Sequence, residues 1–154
     1  MKRKLKILIA NGVNLDLLGN REPEHYGKLT LTELEKDIRD AMPKICNAST
    51  SAKVELSFFQ SNSESSFLEE VSKQWDGAVI NPGAWTHTSL ALGDRLLAAG
   101  LPYIEVHMSN TASRETFRHF SYISKGAQGT ITGLGKTSYL TGIFALLTYL
   151  ESQL

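Results

Sequence analysis

The chain has 154 residues, the length of one ordinary domain, and its 16 basic side chains balance 16 acidic ones. A chain of this size buries roughly two thirds of the surface its unfolded form exposes, so a single domain over residues 1–154 with one core is expected. Zero net charge excludes a global field that would draw in nucleic acid or an anionic membrane, and any affinity for an anion must come from a local cluster. The lone cysteine, Cys46, excludes an internal disulfide framework; it reads as a small apolar filler and fits a cytoplasmic chain.

The basic start MKRK runs into the apolar KILIA and then into polar NGVNLD, with no small-residue cleavage site, so residues 5–10 read as a first strand. Leu31, Leu34, Ile38 and Ile45 follow at helical spacing, with Thr30 or Thr32 as the cap and Pro43 as a break or kink. Residues 54–59 form the second apolar run. Phe67, Leu68 and Val71 then mark a helix entered through Ser63 and Glu64. A third strand is expected over 78–80, a helix over about 86–99 stopped by Gly100 and Pro102, a fourth strand over 102–106 and a weaker fifth over 129–132. The last helix carries Tyr139, Leu140, Ile143, Phe144, Leu147 and Leu150 as an apolar band. TGIFALLTYL is too short to span a bilayer, which takes ~20 residues.

Strands that are apolar throughout, alternating with helices, predict a parallel sheet covered on both faces: a doubly wound, three-layer α/β/α sandwich. Ligands of such sheets bind beyond the carboxyl ends of the strands, where strand order reverses. The polar segments sit where that rule requires. NGVNLDLLGNREPEHYG follows the first strand, NPGAWTHTS the third, and HMSN with SRETFR the fourth. The first of these is longer than a connection needs, which fits a lid over about residues 19–27. Within it, Arg21 and Tyr26 are notable, because a cation beside a phenol lowers its proton affinity and turns it into a base.

Four blocks, NGVNLDLLGNREPEHYG, INPGAWTHTS, YIEVHMSN and SRETFRHFSYIS, resemble the signature segments of type II 3-dehydroquinate dehydratases, in the same order and at compatible spacing. The resemblance implies a flavodoxin-like five-stranded sheet, trimers assembled into a dodecamer, and cofactor-free dehydration of 3-dehydroquinate to 3-dehydroshikimate through an enolate. On these residues it implies Tyr26 as the base, Arg21 and Arg114 as the cations beside it, and Asn14 as holder of a water that stabilises the enolate. His107 matches the general acid. Glu105, two residues earlier on the same strand, points to the same face and is suited to fix the imidazole tautomer. Ser109 and the amides around Met108 and Ser109 match the cradle for the substrate carboxylate, while Asn81, His87 and Arg118 match the groups that hold its ring hydroxyls. Asp94 matches an acid that reaches the neighbouring subunit's site. Val13 stands where the family usually has proline, and Gly93 where an arginine commonly precedes the aspartate.

Two rival readings are weaker. GTITGLGKTS resembles a phosphate-binding loop, but GxxxxGK[ST] needs glycine at position 130, where this chain has Thr130. A non-catalytic flavodoxin-like binding module would not need Tyr26, Arg21 and His107 together. No HxxxH or Cys and His cluster at ligand spacing appears, so no metal dependence is expected.

Overall fold

The computed structural model describes residues 3–20, 24 and 27–153. Five strands, β1 (Lys4–Asn11), β2 (Lys53–Gln60), β3 (Gly77–Asn81), β4 (Tyr103–His107) and β5 (Gly129–Thr132), form one sheet in the order β2-β1-β3-β4-β5. Every adjacent pair is parallel. The expected doubly wound α/β sandwich is therefore the observed one, and this strand order is that of flavodoxin-like sheets.

Strand periodicity decides which helices cover which face. Leu5, Ile7 and Ile9 of β1 point to one side with Val79, Ile104 and Val106. There they meet Leu34 and Ile38 of α1 (Leu31–Ser49) and Tyr139, Ile143 and Leu147 of α5 (Thr137–Ser152). Leu8 and Ala10 point to the other side with Ala78, Ile80 and Tyr103, against Phe67 and Val71 of α2 (Glu64–Val71). Leu92 and Leu96 of α4 (Leu90–Ala99) complete that layer. All residues of β3 and β4 are buried, as a strand covered on both faces requires. Cys46 packs half-buried against the α1 and α5 side, and burial pushes its thiol pKa up.

The helix starts follow the capping chemistry. Thr30 closes a capping box with Glu33 ahead of α1, and the Ser63 hydroxyl accepts from the Ser66 amide ahead of α2. Two expectations are corrected. Pro43 does not end α1, which runs through it to Ser49. Leu34, Ile38, Met42, Ile45 and Cys46 keep one apolar stripe against the core on both sides of the proline, and that packing outweighs the lost backbone bond. The single helix expected before Gly100 is two, α3 (Trp85–Thr88) and α4, because Ser89 is extended and its hydroxyl caps the Leu92 amide at 2.9 Å.

The chain leaves β1 for β2 on one side and returns to β3 on the other, so the strand order reverses between β1 and β3. Their last residues, Asn11 and Asn81, are register partners. The two following loops are tied together directly, with the Gly12 amide donating to the Asn81 carbonyl at 2.8 Å. A side chain at position 12 would collide with the Pro82 backbone, standing 2.8 Å from its Cα and closer still to its carbonyl. Backbone on the receiving side has little freedom to move. Gly12→Ala is expected to lose about 2 kcal/mol in urea unfolding, whereas Gly27→Ala, whose Cβ would meet nothing within 4 Å but whose φ of 71° strains a side chain, is expected to lose about 1 kcal/mol.

Candidate active site

His107 closes β4, and Glu105 lies two residues before it on the same face. Its Nε2 stands 2.6 Å from Glu105 Oε1, and Glu105 has no exposed surface. An ionised carboxylate at such a place must be held by donors. Thr86 Oγ1 donates to Oε1 at 2.5 Å, and the Ser121 hydroxyl lies 3.0 Å from both carboxylate oxygens. Burial by itself would push the Glu105 carboxyl up. The hydrogen bond and charge of His107, with the hydroxyls of Thr86 and Ser121, together outweigh burial and hold the carboxyl below its ordinary range.

Because Glu105 occupies Nε2, the other ring nitrogen of His107 is the one left, among the described residues, to serve a ligand. His107 lines a cavity beyond the carboxyl ends of β1, β3 and β4, shared with Asn14, Asn81, His87, Met108, Ser109, Arg114 and Arg118. Eight of the residues singled out in the sequence thus converge on one cavity, with Glu105 directly behind it. Leu15, Leu17 and Leu18 give the cavity an apolar wall.

The polar lining is oriented by its own partners. His87 stacks on His107 with ring centroids 6.3 Å apart and planes at 18°. Its Nδ1 lies 2.7 Å from the Phe120 carbonyl, which only accepts, so Nδ1 carries the proton and Nε2 is left as an acceptor. Burial, and then the nearby His107 and Arg118 charges, lower the His87 pKa against the opposing pull of that carbonyl and of Glu105. His87 therefore offers a hydroxylated ligand an acceptor. Asn81 is equally committed. Its Oδ1 accepts from the Gly83 amide, and its Nδ2 donates to the Tyr139 hydroxyl at 2.8 Å, which in turn donates to Asn11 at 2.5 Å. It is built into the cavity floor.

Two arginines give this neutral chain a local positive surface. The Arg114 side chain is 7% exposed and its Nε lies 3.7 Å from Glu115; Arg118 donates to the same carboxylate at 2.9 Å. Asn14 has φ 66°, a left-handed geometry that asparagine tolerates. Its amide donates to Asn62 Oδ1 at 2.8 Å, which anchors the turn containing Val13.

Arg21 and Tyr26 lie outside the described residues. Leu18, ahead of that segment, lines the main cavity, and Gly27, after it, borders an adjoining one that shares Met108, Ser109 and Arg114. Asp94 is not among the residues brought together: it is exposed on α4 and does not line the cavity. Gly93 beside it is needed for packing, since a Cβ there would stand 2.7 Å from the Tyr122 carbonyl oxygen.

The sequence reading missed Thr86 and Ser121, which hold Glu105, and the Asn11 and Tyr139 groups beneath Asn81. Thr86 and Ser121 both fall inside the quoted blocks, but a hydroxyl in a loop has no periodicity to mark it. Tyr139 was hidden in an apolar helical band. Among the described residues no cluster of three His, Cys, Asp or Glu side chains is placed to hold a metal, and no helix is long and apolar enough to cross a membrane.

Comparison with known proteins agrees with this geometry. The family model for class II dehydroquinase matches residues 5–147. A 3-dehydroquinate dehydratase of Pseudoalteromonas translucida is 45% identical over 156 residues, covering 99% of both chains, and one of Pasteurella multocida is 44% identical over 154 residues, covering 98% of this chain and 99% of its own. The crystal structure of the type II dehydroquinase from Butyrivibrio crossotus superposes with a TM-score of 0.84 at 37% identity, covering 93% of this chain and 97% of that one. That from Propionibacterium acnes gives 0.77 at 34% identity, with 99% of each chain covered. The chain belongs to the class II dehydroquinase family.

The buried carboxylate has a thermodynamic signature. Because the Glu105 carboxyl is held below 4.5 in the folded chain, its stabilising contribution is complete above 4.5 and is lost as pH falls through the folded value. Glu105→Gln is expected to cost about 2 kcal/mol near neutrality. Its thermal midpoint should then fall less steeply than that of the parent as pH drops below 4.5, as measured by calorimetry.

Proposed function

We propose that this chain is a type II 3-dehydroquinate dehydratase, an enzyme of the shikimate pathway that eliminates water from 3-dehydroquinate to give 3-dehydroshikimate. The observation that carries the reading is the His107 and Glu105 pair, set at a cavity into which Arg114, Arg118, His87, Asn14 and Ser109 also converge. Full-length similarity to 3-dehydroquinate dehydratases supports the substrate.

In the proposed mechanism the Tyr26 phenolate removes a proton from the carbon beside the ketone, and the electron pair moves onto the ketone oxygen as an enolate. An ordinary tyrosine titrates near 10, so working near pH 7 requires ~4 kcal/mol of preferential stabilisation of the phenolate. Arg21 and Arg114 are assigned to supply it. Asn14 holds a water against the enolate oxygen. The enolate then collapses, the C–O bond breaks, and His107 gives its proton to the departing hydroxyl, which leaves as water; Glu105 stabilises the imidazolium beforehand. Ser109 and the amides at Met108 and Ser109 receive the carboxylate. Asn81, His87 and Arg118 position the ring hydroxyls, His87 through its unprotonated nitrogen.

The finer features of this reading are a single domain whose segment 19–27 closes as a lid, a cytoplasmic location, and a homododecamer of four trimers in which Asp94 reaches a neighbour's site. Neither metal nor organic cofactor enters the mechanism.

Purified protein is expected to convert 3-dehydroquinate to an ultraviolet-absorbing conjugated enone acid without added cofactor, and to keep its activity after borohydride treatment with substrate. Inactivation by borohydride would indicate a Schiff base instead. Tyr26→Phe is expected to lower kcat by about 10³-fold while substrate still binds by calorimetry. Near-normal turnover of that variant would remove Tyr26 as the base.

A further inference from the structure

The Glu105 carboxylate is served by two hydroxyls, and counting their protons separates their roles. Ser121 Oγ accepts from the Ile123 amide at 3.2 Å and from the Ser124 amide at 3.0 Å. A hydroxyl oxygen has two lone pairs, so both are taken. Thr86 Oγ1, although 3.0 Å from Ser121 Oγ, finds no acceptor there and sends its own proton to Glu105 Oε1 at 2.5 Å. The Ser121 proton is then left facing both carboxylate oxygens at 3.0 Å. A charged acceptor draws it more strongly than the Thr86 oxygen does.

The segment carrying Ser121 is pinned at several points. The Tyr122 amide donates to the Thr86 carbonyl at 2.8 Å, and the Tyr103 hydroxyl donates to the Ile123 carbonyl. Gly93 has no side chain to hold the Tyr122 carbonyl away from α4. Ser121 does not line the cavity assigned to substrate. It lines a second cavity, behind His107 and Glu105, together with Ser124, Thr130 and Thr132.

We propose that Ser121 is a positioning residue for the elimination: its hydroxyl, with both lone pairs held by the loop backbone, is a fixed hydrogen-bond donor that keeps Glu105 ionised and so keeps His107 as the imidazolium, whose cavity-side N–H is the acid. Without it, Glu105 competes better for the proton it shares with the imidazole, and the acid is present less often in its active form. Among the described residues the other titratable or charged groups facing the pair are His87, stacked on His107, Arg114 on the substrate cavity, Arg118 on both cavities, His119 on the rear one and Tyr103 on the same strand. Ser121 touches none of these through its hydroxyl among the bonds described, so its removal acts on Glu105 first.

The catalytic part of this inference rests on the dehydratase reading, and two readouts keep the two apart. The first is the titration of His107 in the free protein, followed by NMR of isotope-labelled histidine, which needs no substrate. Ser121→Ala is expected to raise the pH at which the pair loses its proton by about 1 unit. Ser121→Cys keeps the shape but donates weakly and should titrate like the alanine variant; Ser121→Thr keeps the hydroxyl and should titrate like the parent. The second readout is the pH profile of dehydration. In the alanine and cysteine variants kcat should fall about tenfold and its basic limb should move up, with KM little changed because Ser121 is outside the substrate cavity. If both variants titrate as the parent does, the proposal is overturned, whatever their stability. If the titration shifts as expected in a protein that does not act on 3-dehydroquinate, the link from Ser121 to His107 stands and the dehydratase reading falls.

Discussion

An ionised carboxylate shut off from water is the constraint around which this site is arranged. Glu105 has no exposed surface and sits in the central layer of the molecule, where an uncompensated charge would cost several kcal/mol. The chain meets that cost locally, with Thr86 from the short helix after β3, Ser121 from the segment after β4, and His107 from the same strand. Each donor comes from a different part of the chain. Holding Glu105 therefore also holds the loops that wall the cavity.

The sheet topology supplies the place. Strand order reverses between β1 and β3, and the loops leaving both strands are joined by the Gly12 to Asn81 backbone bond and by the close passage of Gly12 over Pro82. Below them, Asn11, Tyr139 and Asn81 form a buried chain of hydrogen bonds that ties α5 to the cavity floor. Burial pushes the Tyr139 phenol far above its ordinary range, so it stays a neutral bridge. Tyr26, the aromatic hydroxyl proposed to ionise, lies outside the described residues.

Electrostatics at the site is local. The chain is neutral overall, yet Arg114 and Arg118 both face the cavity and share one exposed partner, Glu115. With burial pushing the His87 pKa down against the pull of its carbonyl partner, the positive charge is concentrated on the arginines and, when protonated, on His107. That distribution suits a small anionic ligand, and the apolar wall of Leu15, Leu17 and Leu18 strengthens each interaction by keeping water out.

Much of this was legible in the residues. Apolar runs of strand length alternating with amphipathic stretches dictate a covered parallel sheet, because a strand buried on both faces has no polar side to show. The i and i+2 spacing of Glu105 and His107 dictates a shared face, and Thr30 and Ser63 are caps by their chemistry. What the tertiary structure alone decided are the matters that depend on distant partners. Pro43 stays helical because the core holds the stripe on either side of it, and the helix divides at Ser89, where the backbone is extended and the hydroxyl accepts from the Leu92 amide. The Phe120 carbonyl, more than thirty residues away, decides which nitrogen of His87 carries the proton. Ser121 and Thr86 became part of the site only when folding brought them to Glu105, since a hydroxyl acquires a direction from the acceptor it meets and a linear sequence does not state which acceptor that is.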